Sequence, residues 1–434
     1  MNAPVTVVMT ADAPGDDRGN NRGDDQGDAW SVPLDRIDVS NPHLYQDDTW
    51  QPYFARLRRD DPVHYTKDGM YGSFWSVTKY KDIMQVDTSQ TVFSSDAMLG
   101  GIVIRDVPMD FRRPSFIAMD PPKHDEQRKV VAPIVAPMNL QKLAGTIRER
   151  AARILDDLPR GETFDWVDRV SIELTTQMLA TLFDFPFEER RTLTHWSNVA
   201  TVNTRAGTEI DSEPKRDAVL QQMLTYFTKL WHERAQQPPR PDLISMLAHG
   251  EATRDLPSRP HEFLGNLILL LVGGNDTTRN SISGGVLALN RFPDEYRKLR
   301  QNPALVTSMV PEIIRYVTPV IHMRRTAVED VDLAGKRIRK GDKVVMWYIS
   351  GNRDEDAIER PDDFIIDRAR PRQHLSFGFG IHRCVGNRLA ELQLTILWEE
   401  ILQRFPTIEL MGEPTRSYSN VIHGITSMPV RIPA

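Results

Sequence analysis

Residues 374–386 read HLSFGFGIHRCVG and contain Cys384, which is the only cysteine in the chain of 434 residues. The segment that follows, residues 387–402 (NRLAELQLTILWEEIL), carries apolar side chains at helical spacing. This pattern places Cys384 immediately before the N-terminus of an amphipathic helix. At such a position, free backbone N–H groups and the positive end of the helix dipole stabilise a thiolate against protonation.

The overall composition narrows the class of protein. Hydrophobic residues make up 40% and charged residues 26% of the sequence, as is usual for a globular protein with a sizeable core. The net charge of −6 argues against a nucleic-acid binder, which normally carries a basic surplus. A single cysteine cannot form an internal disulfide, so we expect a protein of the reducing cytoplasm.

Neither a targeting segment nor a membrane-spanning segment is predicted. Residues 1–15 (MNAPVTVVMTADAPG) lack the basic start and the apolar run of a signal peptide. The most apolar stretch, residues 267–272 (LILLLV), is far shorter than the roughly 20 residues that span a bilayer. These features agree with a cytoplasmic location and predict no membrane span.

The chain is expected to form one domain behind an unstructured tail. Residues 12–28 (DAPGDDRGNNRGDDQGD) are polar and rich in glycine, a composition typical of disorder, so residues 1–29 are assigned to a disordered N-terminal tail. Residues 30–434 show no comparable break and no internal repeat, which favours a single domain. Long helix-periodic segments and a few short β-like runs predict a fold that is mainly α with a small β part.

Three roles are open to Cys384. It could be a buried structural thiol, because free cysteine behaves as a small hydrophobic residue. It could be a nucleophile with His382 as its base, although Cys-His hydrolases normally bring the base from elsewhere in the chain. It could also bind a metal. A structural zinc site needs about four clustered ligands, and only His374 and His382 are near in the sequence, whereas haem iron needs a single axial thiolate.

A second unusual segment interrupts a long apolar helix. Residues 267–281 (LILLLVGGNDTTRNS) place two glycines, an acid and two threonines in its middle. Each glycine costs about 0.5–1 kcal/mol relative to alanine in a helix interior. One interpretation is that Gly273 and Gly274 allow a neighbouring helix to pack closely. The other is that the small residues leave room for a cofactor and a small molecule, while threonine hydroxyls bond back to carbonyls and open a groove.

The sequence resembles the cytochrome P450 enzymes. Phe377, Gly380, Cys384 and Gly386 match the F-x-x-G-x-x-x-C-x-G cysteine-ligand loop of that family at every specified position. The resemblance implies a triangular helical prism that encloses haem b, with Cys384 as the ligand of the iron. It also implies that Phe377 shields the sulfur and that Gly386 lets the loop pass close to the cofactor.

The resemblance extends to the interrupted helix. In this family the glycines, the acid and the threonine cross the oxygen-binding side of the haem. The match implies that Gly273 and Gly274 flank the oxygen pocket, that Thr277 holds dioxygen and a water molecule, and that Asp276 relays protons.

Other motifs follow in family order. Glu312 and Arg315 resemble the Glu-x-x-Arg pair that braces the haem-binding core. Its usual third partner is an arginine, but Asp363 stands at that position, so Arg360 or Arg368 is expected to substitute. Four residues match basic groups that bind the haem propionates, namely His124, Arg128, Arg325 and His382.

The expected electron donor is a separate protein. We find no dinucleotide fingerprint in the sequence, so the chain is expected to depend on a 2Fe–2S ferredoxin and an NAD(P)H-dependent ferredoxin reductase. We expect an acidic ferredoxin to dock on the basic residues Arg368, Arg370, Arg372 and Arg383. The protein itself is expected to be a monomer.

The resemblance implies a monooxygenase that inserts one atom of O2 into an unactivated C–H bond. Within the family, the segments 267–281 and 374–394 look most like bacterial enzymes that hydroxylate medium-chain alkanes and fatty acids at the terminal carbon. The alternatives are a bacterial sterol or terpenoid hydroxylase and, from another class, a haem-binding sensor. The expected substrate is small and apolar. The expected pocket is lined almost entirely by apolar residues, namely Leu269, Val272, Gly273, Ile321, Met323, Val421 and Ile422.

Overall fold

Helices dominate the protein, as the sequence predicts. The structure is a computed structural model, and it describes residues 28–204 and 208–434. The helices of this part are α1 Pro42–Gln46, α2 Gln51–Asp60, α3 Tyr80–Thr88, α4 Lys123–Val131, α5 Pro137–Asp156, α6 Glu173–Phe183, α7 Arg191–Thr201, α8 Glu213–Ala235, α9 Leu243–His249, α10 Pro260–Arg291, α11 Pro293–Gln301, α12 Val306–Val317, α13 Tyr348–Gly351 and α14 Asn387–Arg404.

The β part is small and forms several separate sheets. Its strands are β1 Val63–Gly69, β2 Gly72–Val77, β3 Phe93–Ser94, β4 Thr163–Asp165, β5 Met323–Ala327, β6 Val331–Leu333, β7 Lys336–Ile338, β8 Lys343–Met346, β9 Glu409–Leu410, β10 Thr415–Arg416, β11 Ile425–Ser427 and β12 Pro429–Arg431. A five-stranded sheet has the order β1-β2-β8-β5-β3, and only its β2–β8 pair is parallel. The other sheets are β4-β12-β9, β10-β11 and β6-β7.

The longest helix, α10, has 32 residues and is buried along most of its length. It packs against α6, α7, α8, α12 and α14, so most of its surface is removed from water. Gly284 and Gly285 allow α12 to approach closely, since a Cβ atom there would lie 2.4 Å from Val317 and 2.9 Å from Ile313. This packing fixes the middle of α10 relative to the rest of the fold.

The described part of the chain begins at residue 28, two positions before the predicted start of the domain. Ala29 is buried, and its carbonyl accepts a hydrogen bond from Arg56 Nη1 at 2.6 Å. Residues 1–27, which make up most of the predicted tail, lie outside the described residues. Among the helices of the described part, none is both long enough and apolar enough to cross a membrane.

A buried ion network joins α12 to the segment that precedes the cysteine loop. Arg315 Nε and Nη2 donate to the two carboxylate oxygens of Glu312, each at 2.8 Å, and both side chains are fully buried. Arg368 Nε donates to Glu312 Oε2 at 3.0 Å. Arg360 instead pairs with Asp363 nearer the surface, at 2.7 Å. Arg368 therefore takes the place of the arginine that is missing at position 363.

The substitution Glu312→Gln is expected to lower the free energy of unfolding by about 3 kcal/mol, because two buried guanidinium groups lose their counter-charge. Burial raises the pKa of Glu312, but hydrogen bonds from Arg315 and Arg368 outweigh this effect and hold the pKa below its usual 4.5. The carboxylate therefore stabilises the fold above its unfolded pKa, and this contribution is lost as the pH falls through the lowered folded pKa.

Urea unfolding of the two proteins at neutral and acidic pH measures this effect. The matched control is Glu399→Gln, because Glu399 pairs with Arg148 at the surface, where a lost ion pair costs about 1 kcal/mol or less. Equal losses in the two variants, or a loss at Glu312 that does not shrink at acidic pH, would contradict the network's role.

Candidate active site

A cavity of about 500 Å³ lies between α10, the loop that carries Cys384 and the segment 97–118. Residues from distant parts of the sequence meet on its walls. The residues of the expected site that line it are Arg128, Leu269, Val272, Gly273, Thr277, Met323, Arg325, Phe377, His382, Cys384, Gly386, Val421 and Ile422.

Two glycines and one backbone hydrogen bond shape the loop 374–386. Gly378 and Gly380 have φ angles of 66° and 63°, which side chains disfavour. A Cβ atom on Gly380 would also lie 2.6 Å from a backbone carbonyl of α3. The N–H group of Cys384 donates to the carbonyl of Phe377 at 2.8 Å. These constraints turn the cysteine towards the cavity.

The side chain of Cys384 lines the cavity wall, three positions before the start of α14. Burial by the surrounding protein raises the pKa of its thiol. Backbone N–H groups of Gly386 and Asn387, together with the guanidinium of Arg128, act in the opposite direction. The sulfur therefore lies at the N-terminus of a helix, in the position that the sequence predicts, and that position favours the thiolate.

A group of basic side chains lies near the cysteine. The rings of His124 and His382 meet edge to face with their centroids 4.4 Å apart, and both are buried. Burial and the nearby Arg325, His124 and Arg128 lower the pKa of His382 to about 2. Within the described part of the chain, His124 Nε2 and both ring nitrogens of His382 have no hydrogen-bond partner. Because buried polar atoms normally have partners, the cluster fits an anionic group such as the propionates of haem.

Arg325 has a buried partner, Asp87, that sequence reasoning missed. Asp87 Oδ1 accepts a hydrogen bond from Arg325 Nη2 at 2.7 Å. Its Oδ2 accepts from the Tyr348 hydroxyl at 3.1 Å and from the N–H group of Phe379 at 2.7 Å. Asp87 thus ties α3, β5, α13 and the cysteine loop together. Its partners lie more than 230 positions away, so the local sequence carries no sign of this role.

The two central glycines of α10 serve different purposes. A Cβ atom on Gly274 would lie 2.8 Å from Leu179, so this glycine permits close packing on α6. A Cβ atom on Gly273 would meet nothing within 4 Å, because this glycine faces the cavity. Thr277 Oγ1 donates to the Gly273 carbonyl at 3.0 Å. The helix is nevertheless continuous here, so the expected groove does not break it.

Asp276 lies behind the cavity wall. Its side chain is fully buried, and Oδ1 forms an ion pair with Arg279 Nη2 at 2.7 Å. Oδ2 accepts a hydrogen bond from Thr201 Oγ1 at 3.2 Å, and Thr201 itself lines the cavity. The Asp276 carboxylate is therefore linked to the cavity wall through the Thr201 hydroxyl. Thr201 lies on α7, and no sequence motif marks it.

The expected place of Ile321 in the pocket is wrong. Its side chain is fully buried in a second core cluster, together with Val345 and Trp347. Val320 and Met323 line the cavity instead. Residues 320–323 do not alternate as a regular strand, since Val320 and Met323 both reach the cavity while Ile321 between them packs into the core cluster.

The arginines expected to form a docking face are not equally available. Arg368 binds Glu312 and is only 10% exposed, so it is not available to a docking partner. Arg372 is 64% exposed and pairs with an acidic residue of α14 at 2.8 Å. Arg370 and Arg383 are exposed. The accessible basic residues of the expected set are therefore Arg370, Arg372 and Arg383.

Known proteins match the chain over nearly its whole length. A family profile described as Cytochrome P450 matches residues 192–430. A linalool 8-monooxygenase from Pseudomonas putida is 37% identical over 406 residues, which cover 92% of this chain and 99% of that protein. The structure of Cytochrome P450-153 from Novosphingobium aromaticivorans is 47% identical with a TM-score of 0.85, and the match covers 91% of this chain and 99% of the other. CYP153D17 from Sphingomonas sp. PAMC 26605 is also 47% identical, with a TM-score of 0.87 and coverage of 93% and 100%.

These similarities extend to both the sequence and the fold. The mainly α architecture with its small sheets is the P450 fold. Proteins of this family are monooxygenases that bind haem b through a cysteine thiolate, and the chain offers one cysteine for that bond. The chain therefore belongs to the cytochrome P450 family.

Proposed function

We propose that this monooxygenase hydroxylates the terminal carbon of medium-chain alkanes or fatty acids. The observation that carries the proposal is the apolar character of one cavity wall, which is formed by Leu269, Val272, Gly273, Met323, Val421 and Ile422. Such a wall does not orient a substrate by charge, so selectivity near the reacting carbon depends on shape and apolar burial. Each buried methylene group contributes about 0.8 kcal/mol, which favours a linear hydrocarbon chain.

Terminal attack needs more than affinity. The terminal C–H bonds of a linear alkane are its strongest, so the walls have to hold the subterminal carbons away from the reacting centre. The motifs at 267–281 and 374–394, which resemble those of bacterial alkane and fatty-acid hydroxylases, support this regiochemistry. Val320 joins the proposed wall in place of Ile321.

The residues around Cys384 are proposed to hold the cofactor. Haem b supplies the activation of dioxygen when it is bound, and Cys384 provides the thiolate for its iron. The unpartnered ring nitrogens beside it support a propionate site formed by His124, Arg128, Arg325 and His382. Asp87 would hold Arg325 in position through their 2.7 Å contact. Phe377 and Gly386, which line the cavity beside the sulfur, would face the cofactor.

Thr277 and Asp276 are the proposed catalytic residues. The Thr277 hydroxyl, which is bound to the Gly273 carbonyl, would hold dioxygen and a water molecule on the cavity side of α10. The Asp276 carboxylate would pass protons towards the cavity from the interior, through Thr201 or Thr277. A haem-binding sensor has no need of such a pair.

Terpenoids are a second candidate substrate class. The relative that is named for its action on linalool shares 37% of its residues with this chain, and linalool is a terpene alcohol. The same apolar cavity would accept such a compact hydrocarbon. Shape is therefore the property that separates the two classes.

We propose a 2Fe–2S ferredoxin and its NAD(P)H-dependent reductase as the electron donors. The exposed Arg370, Arg372 and Arg383 support an acidic partner, because complementary charge steers the association of two proteins. These arginines lie before and within the loop that carries Cys384, so a protein bound to them would lie near the proximal side of the cofactor.

Product analysis tests the substrate proposal. The holoenzyme is supplied with NADH, a 2Fe–2S ferredoxin and its reductase, and is offered octane, dodecanoic acid, linalool and a sterol. We expect 1-octanol and 12-hydroxydodecanoic acid as the main products, and no product when the ferredoxin is omitted. Subterminal alcohols as main products, or faster oxidation of linalool or the sterol, would overturn the proposal.

The role of Thr277 is tested by Thr277→Ala. The variant is expected to keep haem and substrate binding but to release more hydrogen peroxide and several-fold less product per NADH, because proton delivery to dioxygen is disturbed. The matched control is Thr225→Ala, since the Thr225 hydroxyl also donates to a carbonyl four positions back, at 2.9 Å, but on the outside of α8. Full product yield per NADH in Thr277→Ala would contradict the role.

A further inference from the structure

One wall of the cavity carries two arginines that share one carboxylate. Arg105 lies in the segment after β3, whereas Glu213 and Arg216 lie in the first turn of α8, and all three residues line the cavity. Arg105 Nη1 donates to Glu213 Oε1 at 2.5 Å, and Arg216 Nη1 donates to the same oxygen at 2.6 Å. Two guanidinium groups therefore share one carboxylate oxygen.

The neighbouring charges leave this wall with a surplus of positive charge. Arg112 also lines the cavity, and the hydrogen bonds described for it go to backbone carbonyls. Arg113 has its own partner, Asp217. Burial and the charge of Arg105 lower the pKa of Arg216. The described part of this wall therefore carries four guanidinium groups and two carboxylates.

A buried cation is stable only when an anion or hydrogen-bond acceptors compensate it. Arg216 is 5% exposed, and besides Glu213 it donates to the carbonyls of Val199 and Val202. Glu213 is the one partner described for Arg105, whose side chain is 33% exposed. Guanidinium groups bind carboxylates in a fork geometry with two parallel hydrogen bonds. The arrangement therefore suits a second carboxylate beside that of Glu213.

This cationic group is distinct from the one beside Cys384. The latter consists of His124, Arg128, Arg325 and His382, and the haem propionates account for it. The pair Arg105 and Arg216 belongs to other elements of the fold, and no cofactor group is needed to explain it. An anion on a mobile ligand remains the candidate.

We propose that Arg105, supported by the charge of Arg216, forms a carboxylate subsite that holds the acid group of a fatty acid while its methyl end reaches the apolar wall near Cys384. This inference rests on the proposed function and deepens it, because it selects fatty acids over alkanes. Glu213 keeps the two guanidinium groups in place but competes with the substrate for them. A neutral hydrocarbon gains nothing from the subsite.

Spectral titration of the haem-loaded enzyme tests the subsite without turnover. The low-spin to high-spin shift gives dissociation constants for dodecanoate and dodecane. Arg105→Gln is expected to weaken dodecanoate binding about tenfold, the typical effect of one lost charge-assisted hydrogen bond, and to leave dodecane within about twofold. Glu213→Gln removes the competing carboxylate and is expected to tighten dodecanoate binding. The matched control is Arg337→Gln, which removes an exposed positive charge on β7.

The possible outcomes separate the subsite from the proposed function. Equal weakening of dodecanoate and dodecane in Arg105→Gln, or weakening of dodecanoate in Glu213→Gln, would show that the three residues only join the segment after β3 to α8, and would overturn the subsite alone. A dodecanoate affinity that changes as much in Arg337→Gln would also overturn it. A failure of both ligands to shift the spectrum of the unmodified enzyme would overturn the proposed function and the subsite with it.

Discussion

A thiolate inside a protein has lost most of its hydration, so the fold has to replace the stabilisation that water would give. At Cys384 burial raises the pKa of the thiol, and the N–H groups of Gly386 and Asn387 at the start of α14, together with Arg128, offset part of this effect. The sulfur keeps these donors only while it stays at the start of the helix, so the conformation of the loop before α14 matters. Two glycines with positive φ angles and the carbonyl of Phe377 fix the loop in that position.

The rest of the structure holds other groups in place around that sulfur. The network of Glu312, Arg315 and Arg368 joins α12 to the chain that leads into the loop. Asp87 joins the loop to Arg325 and therefore links the sulfur's surroundings to the basic cluster. Opposite the loop, the close packing of α10 on α6 and α12 keeps Gly273 and Thr277 on the cavity wall.

The sequence was most informative where contacts are local. The helix that follows Cys384, the position of Thr277 and the mainly α fold could be predicted, because each depends on spacing within a short segment. The third partner of Glu312 could only be narrowed to Arg360 or Arg368, since the choice depends on how two loops meet. Some of the important contacts join residues that are 75 or more positions apart in the sequence, and no local pattern marks them. These are the contacts of Asp87, of Thr201 and of the pair Arg105 and Glu213. Ile321 was misplaced because residues 320–323 do not follow a regular strand period, so the faces of their side chains depend on tertiary contacts that the local sequence does not show.

The most direct test of Cys384 as the ligand of the haem iron is the absorption spectrum of the reduced protein under carbon monoxide. The spectrum is recorded for the unmodified chain and for Cys384→Ala after both have been loaded with haem. Ligation by Cys384 predicts the red-shifted Soret band of thiolate-bound haem in the unmodified protein, and its loss in the variant even when haem is retained. A red-shifted band that persists without Cys384, or its absence from the unmodified protein, would contradict the assignment of the sulfur as the ligand.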